Sequence, residues 1–309
     1  MPPRLILNAD DFGLTPGINR AILELHLAGA LTSATLMATG PAFDDAVAIA
    51  RSHPTLGIGC HIVLTDGIPA AHPQSIPTLL GADGKTFRPT LIDFVQALLR
   101  NDIDEDDIER EALAQIQKLQ RAGIDITHLD SHKHTHLFPA VARPLLHLAQ
   151  RCGIGAIRNP FEPLWARRLG HASLLRRSQM ALLGSLQPRF QHLPQLHHTH
   201  VLTTDGTLGI STTGHLNDAT LNQILDALPP EGTFELCCHP GYHDADLNAV
   251  TTRLRSSRDT ERETLATIIP KRFAQPNAPQ LINYGCLGSF GVLRAAGQFT
   301  PNTGYEKIL

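Results

Sequence analysis

An α/β fold with parallel strands is the expectation from this sequence, and three observations carry it. Residues 5–64 alternate strand, helix, strand, helix, strand, the order that pairs strands in parallel through helical crossovers. Of the 309 residues, 42% are hydrophobic and 18% charged, enough for a sizeable core and too little charge for disorder. The length fits one α/β barrel of about 250 residues with an appendage as well as two domains of about 150.

The first strand is the apolar run at residues 5–7, followed at once by Asn8-Ala9-Asp10-Asp11. Thr15-Pro16 then reads as an N-cap with proline in the first helical position. Ile18, Ala21, Ile22 and Leu25 keep helical spacing, and Gly29 supplies a stop. Residues 33–37 form the second strand, 42–51 a helix and 56–64 the third strand. Residues 69–89, rich in Pro, Gly and Ala, are expected to form a long loop lining a site. A helix over 103–122 precedes a strand at 126–129, which opens into a histidine-rich stretch. A helix over 139–152 and a brief strand at 156–158 follow. Alternation resumes with a helix at 216–228, a strand at 233–238, a last helix at 258–269 and a last strand at 280–284.

Residues 162–200 differ in character. Arg167, Arg168, Arg176, Arg177 and Arg189 face a single acid, Glu162, with Leu174, Leu175, Met180, Leu182 and Leu183 between them. Such a segment reads either as a helical lid or dimer contact, or as an amphipathic helix for peripheral contact with a lipid surface or lipid-linked substrate.

The formal net charge of −3 argues against a nucleic-acid partner, which calls for a basic excess. The five cysteines have no C-x-x-C spacing, so a reducing, cytoplasmic setting is expected. Acidic residues arrive by position 10, which leaves no room for the apolar region of a signal peptide. No run of about 18 apolar residues is present to form a transmembrane segment.

Seventeen histidines are the compositional anomaly. His128, His132, His134 and His136 form one cluster, and His197, His198 and His200 another. Several polar groups fall at the C-terminal ends of strands: Asp10 and Asp11 after the first, His61 on the third, His132 after the strand near 128, and His239 after the strand at 233–238. Parallel α/β folds build active sites at that edge. One carboxylate with two imidazoles suits a divalent metal that keeps open positions, and by softness the set favours zinc. A second carboxylate beside the first suits a general base.

Plainer readings stand beside these. Adjacent aspartates after a strand also serve as caps or turns, and a histidine in an apolar strand is often bonded to backbone. If residues 128–136 are extended, period-two geometry places His128, Asp130, His132, His134 and His136 on one face, too polar a set for an apolar core. The 197–200 group reads as solvated surface. Trp165, the single tryptophan, could serve as an aromatic stacking platform or belong to the core. Arg158 could hold Asp10 ionised or be an ordinary surface arginine.

Asn8-Ala9-Asp10-Asp11-Phe12-Gly13, Gly59-x-His61, His128-Leu129-Asp130-Ser131-His132-x-His134 and Cys238-His239-Pro240-Gly241-Tyr242 together resemble the signatures of YdjC-like carbohydrate deacetylases. That family includes chitooligosaccharide deacetylases and a branch associated with hopanoid biosynthesis. The resemblance runs in order over residues 4–287. It implies a distorted (β/α) barrel related to polysaccharide deacetylases, as one domain over 1–288, with a basic helical insertion at 162–200. The insertion and the tail at 289–309 depart from the family pattern.

The resemblance also implies hydrolysis of N-acetyl groups on an amino sugar, oligosaccharide or glycolipid, with a divalent metal, often magnesium, and a homodimer. Position by position, Asp11, His61 and His132 would be metal ligands, Asp10 the general base and His239 the general acid. Asp130 could orient a ligating imidazole or cap a turn. Rival readings are a metal-dependent hydrolase of another amide or ester, and a non-catalytic glycan-binding protein of the same fold.

Overall fold

The computed structural model describes residues 2–169 and 181–287. The expected tail at 289–309 lies outside them, as does the centre of the basic segment with Arg176 and Arg177. A parallel sheet organises the chain. From edge to edge it runs β5 (Ala156–Ile157), β4 (Ile126–Ser131), β3 (Gly57–Ile62), β2 (Ser33–Leu36), β1 (Arg4–Phe12), β7 (Thr233–Cys238) and β6 (Gly206–Leu208). A short β8 (Gln280–Leu281) pairs with β1 at Arg4 and Leu5, before β2 takes up the pairing at Asn8. Strand order 3-2-1 on one side and 1-7-6 on the other places the switch of direction at β1, whose C-terminal end carries Asp10 and Asp11.

The sheet curls into a partial barrel. Leu202 bridges β5 at Ala156, and the Thr207 amide of β6 donates to the Phe161 carbonyl just beyond β5. The two edges of the sheet are thereby drawn together, and the strands' inner faces enclose a space that holds charged side chains.

Helices coat the outer face, and the first shows how an apolar stripe seats one there. In α1 (Pro16–Leu27) the Thr15 hydroxyl accepts from the Ile18 amide and Pro16 opens the helix, as the local sequence predicts. Its buried face is Ile18, Ala21, Ile22 and Leu25, and each of the larger residues contributes about 1.5–3 kcal/mol by leaving water. Further helices among the described residues are α2 (Phe43–Ser52), α3 (Leu91–Leu99), α4 (Glu105–Arg121), α5 (Pro139–Arg151), the short α6 (Gln187–Gln191) and α7 (Pro194–His198), α8 (Asp218–Asp226), α9 (Ala245–Ala249) and α10 (Ser256–Phe273).

Three local expectations change. The first strand does not stop at residue 7 but continues through both aspartates to Phe12. The 69–89 segment is not a bare loop: 3-10 turns at Pro73–Ser75 and Pro77–Leu79 bury Ile76 and Leu79. Its amides at Ala70 and Ala71 donate to Glu111, and Thr78 donates to Asp107, both on α4. Residues 132–137 leave the extended state for a 3-10 turn, with Lys133 and His134 in the left-handed region at φ 57 and 53. The five groups from His128 to His136 therefore do not share one strand face.

Candidate active site

A β-bulge begins the site. The β1–β2 register slips between Ala9 and Phe12, and Asp11 takes a left-handed φ of 65. Consecutive strand residues normally face opposite ways, and a bulge re-aims one of them. Here Asp10 and Asp11 are both 3% exposed and both find partners at the C-terminal end of the barrel. Gly13, at φ 90, makes the turn that follows, and its amide donates to Asn19 Oδ1.

Asp11 meets two imidazoles. Its Oδ1 lies 3.3 Å from His132 Nδ1 and 3.6 Å from His61 Nε2, and accepts no hydrogen bond of normal geometry although it is buried. Its Oδ2 accepts from Arg258 Nη2 of α10 at 2.5 Å. Burial alone would raise the Asp11 pKa, but Arg258, then His132 and His61, outweigh it and hold the carboxyl well below the usual range.

The other face of His61 is fixed. Its Nδ1 lies 2.7 Å from Asp130 Oδ1 and 3.2 Å from Thr35 Oγ1. A carboxylate at Nδ1 keeps a proton there, so the second proton, on Nε2 toward Asp11, is the one a cation would displace. Burial opposes the imidazolium, yet Asp130, Asp10 and Asp11 together lift its pKa from 6.5 to about 9. One ligand atom from each of Asp11, His61 and His132 lies within 4.8 Å of the others. An orphaned buried carboxylate oxygen beside two ring nitrogens fits a divalent cation, whose charge would take the place of that proton.

Asp10 faces a different network. Arg158, at the end of β5 and fully buried, donates to Asp10 Oδ1 at 2.6 Å and to Oδ2 at 3.0 Å. The same guanidinium donates to Glu235 of β7 through Nε and Nη2, and its Nη1 lies 2.7 Å from Asp130 Oδ2. One arginine thus joins the Asp10 carboxylate to the one that orients His61. Burial would raise the Asp10 pKa, but Arg158, with His61 and His239, holds it well below the ordinary value. Glu235, which also accepts from the Tyr284 hydroxyl, stays raised by burial despite Arg158.

His239 follows β7, with its amide donating to Glu261 Oε2 at 2.6 Å and its Nε2 3.7 Å from Asp10 Oδ2. Asp10, Asp11, His61, His132, Asp130, Arg158 and His239 are thus brought to one end of the barrel.

Other residues singled out in the sequence lie elsewhere. His128 is a core residue: it stacks on Tyr284 with centroids 3.7 Å apart, and burial pushes its pKa well down. A Cβ at Gly59 would stand 2.5 Å from His128 Cε1, so the strand opposite must be glycine there. His136 is buried against the Ser131 hydroxyl. Trp165 is half-buried against the core and packs edge-on on Phe234, four residues before the end of β7. His197 and His200 are exposed.

Arg258, Glu235, Glu261, His134 and Cys237 are neighbours that the sequence reading does not assign to the site. Glu235 carries a legible signal, a lone charge inside the apolar run Thr233–Cys238. Arg258 and Glu261 carry none, since they arrive from a helix whose exposed neighbours are equally charged.

Comparison with known proteins gives the chain's family. A family model described as YdjC-like protein matches residues 4–274. A Brevibacillus brevis protein named carbohydrate deacetylase is 32% identical over 287 residues, covering 92% of this chain and 100% of that one. A Geobacillus stearothermophilus protein of the same name is 40% identical over 247 residues, covering 80% and 83%. Among solved structures, an Enterococcus faecalis protein described as a candidate cellobiose-phosphate cleavage protein superposes with a TM-score of 0.73 at 26% identity, over 93% of this chain and 99% of that one. The chain belongs to the YdjC-like family.

Proposed function

We propose that this protein is a metal-dependent hydrolase that removes N-acetyl groups from an amino sugar, an oligosaccharide or a glycolipid. The observation that carries the reading is the pairing of two sets of groups at one barrel end. Asp11, His61 and His132 offer three converging donors, and beside them Asp10 and His239 lie 3.7 Å apart. A binding protein needs the first set but has no use for the second. The names of the two curated relatives supply the carbohydrate and the acetyl group.

A cation held by Asp11, His61 and His132 would supply Lewis-acid polarisation of the acetamide carbonyl and bring the pKa of water toward neutrality. Asp10 takes the proton of the attacking water, and Arg158 keeps it ionised and positioned to do so. His239, once it carries a proton, delivers it to the departing amine nitrogen; otherwise the tetrahedral adduct would collapse back to amide. Asp130 holds His61 in the tautomer that presents Nε2.

Two imidazoles with one carboxylate favour zinc by softness, whereas the family resemblance points to magnesium. Elemental analysis of protein purified without chelator separates the two. The five cysteines are all unpaired, which supports a reducing, cytoplasmic setting.

The test is acetate release from acetylated chitooligosaccharides and glucosaminyl lipids. Activity should vanish with a chelator, and should vanish in Asp10→Asn while metal content is retained. Turnover that survives both treatments would refute the reading.

A further inference from the structure

A second group of donors lies against Asp10. Cys237 of β7 donates its S–H to Asp10 Oδ2 at 3.4 Å. His134 returns to the same place because the left-handed pair Lys133–His134 folds the chain back after His132. Its Nδ1 is buried without a hydrogen-bond partner. A ring nitrogen of His134, a carboxylate oxygen of Asp10 and the Cys237 sulfur all lie within 4.8 Å of one another.

We propose that Asp10, His134 and Cys237 form a second, inhibitory site for a thiophilic divalent cation such as zinc or cadmium. One thiolate, one imidazole and one carboxylate are a softer set than the Asp11–His61–His132 trio. Thiolate selects zinc-like ions and discriminates against magnesium, so the two sites differ in what they accept. Binding is a proton exchange: the S–H now donated to Asp10 is replaced by a sulfur–metal bond, and one proton leaves to solvent. A carboxylate engaged by that ion cannot accept a proton from water, so occupancy stops turnover. The inhibitory consequence rests on the assignment of Asp10 as the base; the binding itself does not.

The experiment titrates cadmium into full-length protein already loaded with its activating metal. It follows metal stoichiometry, the ultraviolet thiolate-to-cadmium charge-transfer band and acetate release together. The expected result is one additional equivalent bound, a band that grows with it, and activity that falls in parallel without release of the first metal. In Cys237→Ser the band should be lost and cadmium binding weakened by at least the ~10–100-fold that loss of a mere supporting contact costs a metal site. Cys60, Cys152, Cys238 and Cys286 remain in that variant and serve as the internal control. His134→Asn, the second variant should Cys237→Ser fail to fold, should keep the band but require more cadmium. A band undiminished in Cys237→Ser, unaltered cadmium affinity in His134→Asn, or inhibition by expulsion of the first metal would each overturn the site. Binding and band as expected with activity unaffected would leave the site standing and overturn its inhibitory role, and with it the assignment of Asp10 as the base.

Discussion

Replacing Arg158 by methionine keeps an unbranched stem in the core and removes only the guanidinium. That group is fully buried and lies 2.6 Å from Asp10, 2.5 Å from Glu235 and 2.7 Å from Asp130. Removing one partner of a buried ion pair costs about 3–5 kcal/mol, because the charge left behind has neither water nor counter-ion. Asp10 and Glu235 lose their guanidinium here while Asp130 keeps His61, so the expected loss near neutral pH lies within that range. The pH dependence makes the test specific. In the wild-type protein the Asp10 pKa is depressed below 3.8, so its stabilisation is present above that value and is lost as pH falls through the folded pKa. Without Arg158 the raising effect of burial dominates, and the variant gains stability on taking up protons. The gap between the two proteins should therefore shrink on acidification, by up to about 1.4 kcal/mol per pH unit for each carboxyl protonated. Urea unfolding of both proteins in chelator, at about pH 5 and pH 8, measures it. A gap below about 1 kcal/mol, or one equal at both pH values, would refute the account of Arg158 as the hub of a buried carboxylate cluster.

Three further expectations concern neighbouring residues. In metal-free protein His61 has a pKa raised from 6.5 to about 9, so the stability it contributes is fully present below 6.5 and lost as pH rises through about 9. Thermal unfolding across that window should show the loss in chelator and not with saturating metal; identical profiles would refute it. Asp130→Asn, which takes the carboxylate from His61 Nδ1, should weaken metal binding about 10–100-fold by calorimetric titration, and unchanged affinity would remove Asp130 from the site's design. Gly59→Ala would set a methyl 2.5 Å from His128 Cε1 and 2.7 Å from Thr35 Cγ2, and should cost about 1–3 kcal/mol in chemical denaturation. An unaffected midpoint would mean that His128 and Thr35 can yield.

What depends on near neighbours in the chain was legible. Thr15-Pro16 caps α1 and Ile18, Ala21, Ile22 and Leu25 face inward because both effects repeat within a few residues. The alternation of strands and helices implies a parallel sheet, and a parallel sheet gathers its C-terminal ends, which is why Asp10, Asp11, His61, His132 and His239 could be picked out together. Tertiary structure decided the rest. Nothing local says that His128 stacks in the core while His132, on the next turn of chain, faces Asp11. That difference comes from the strand's end at Ser131 and a left-handed pair after it, in a stretch whose alternating pattern would suit a continuing strand. Arg158 reaches Asp10 across 148 residues and Arg258 reaches Asp11 across 247. Such pairings leave no periodic trace, because whether a charge is tolerated inside depends on which other charges the closed barrel brings beside it.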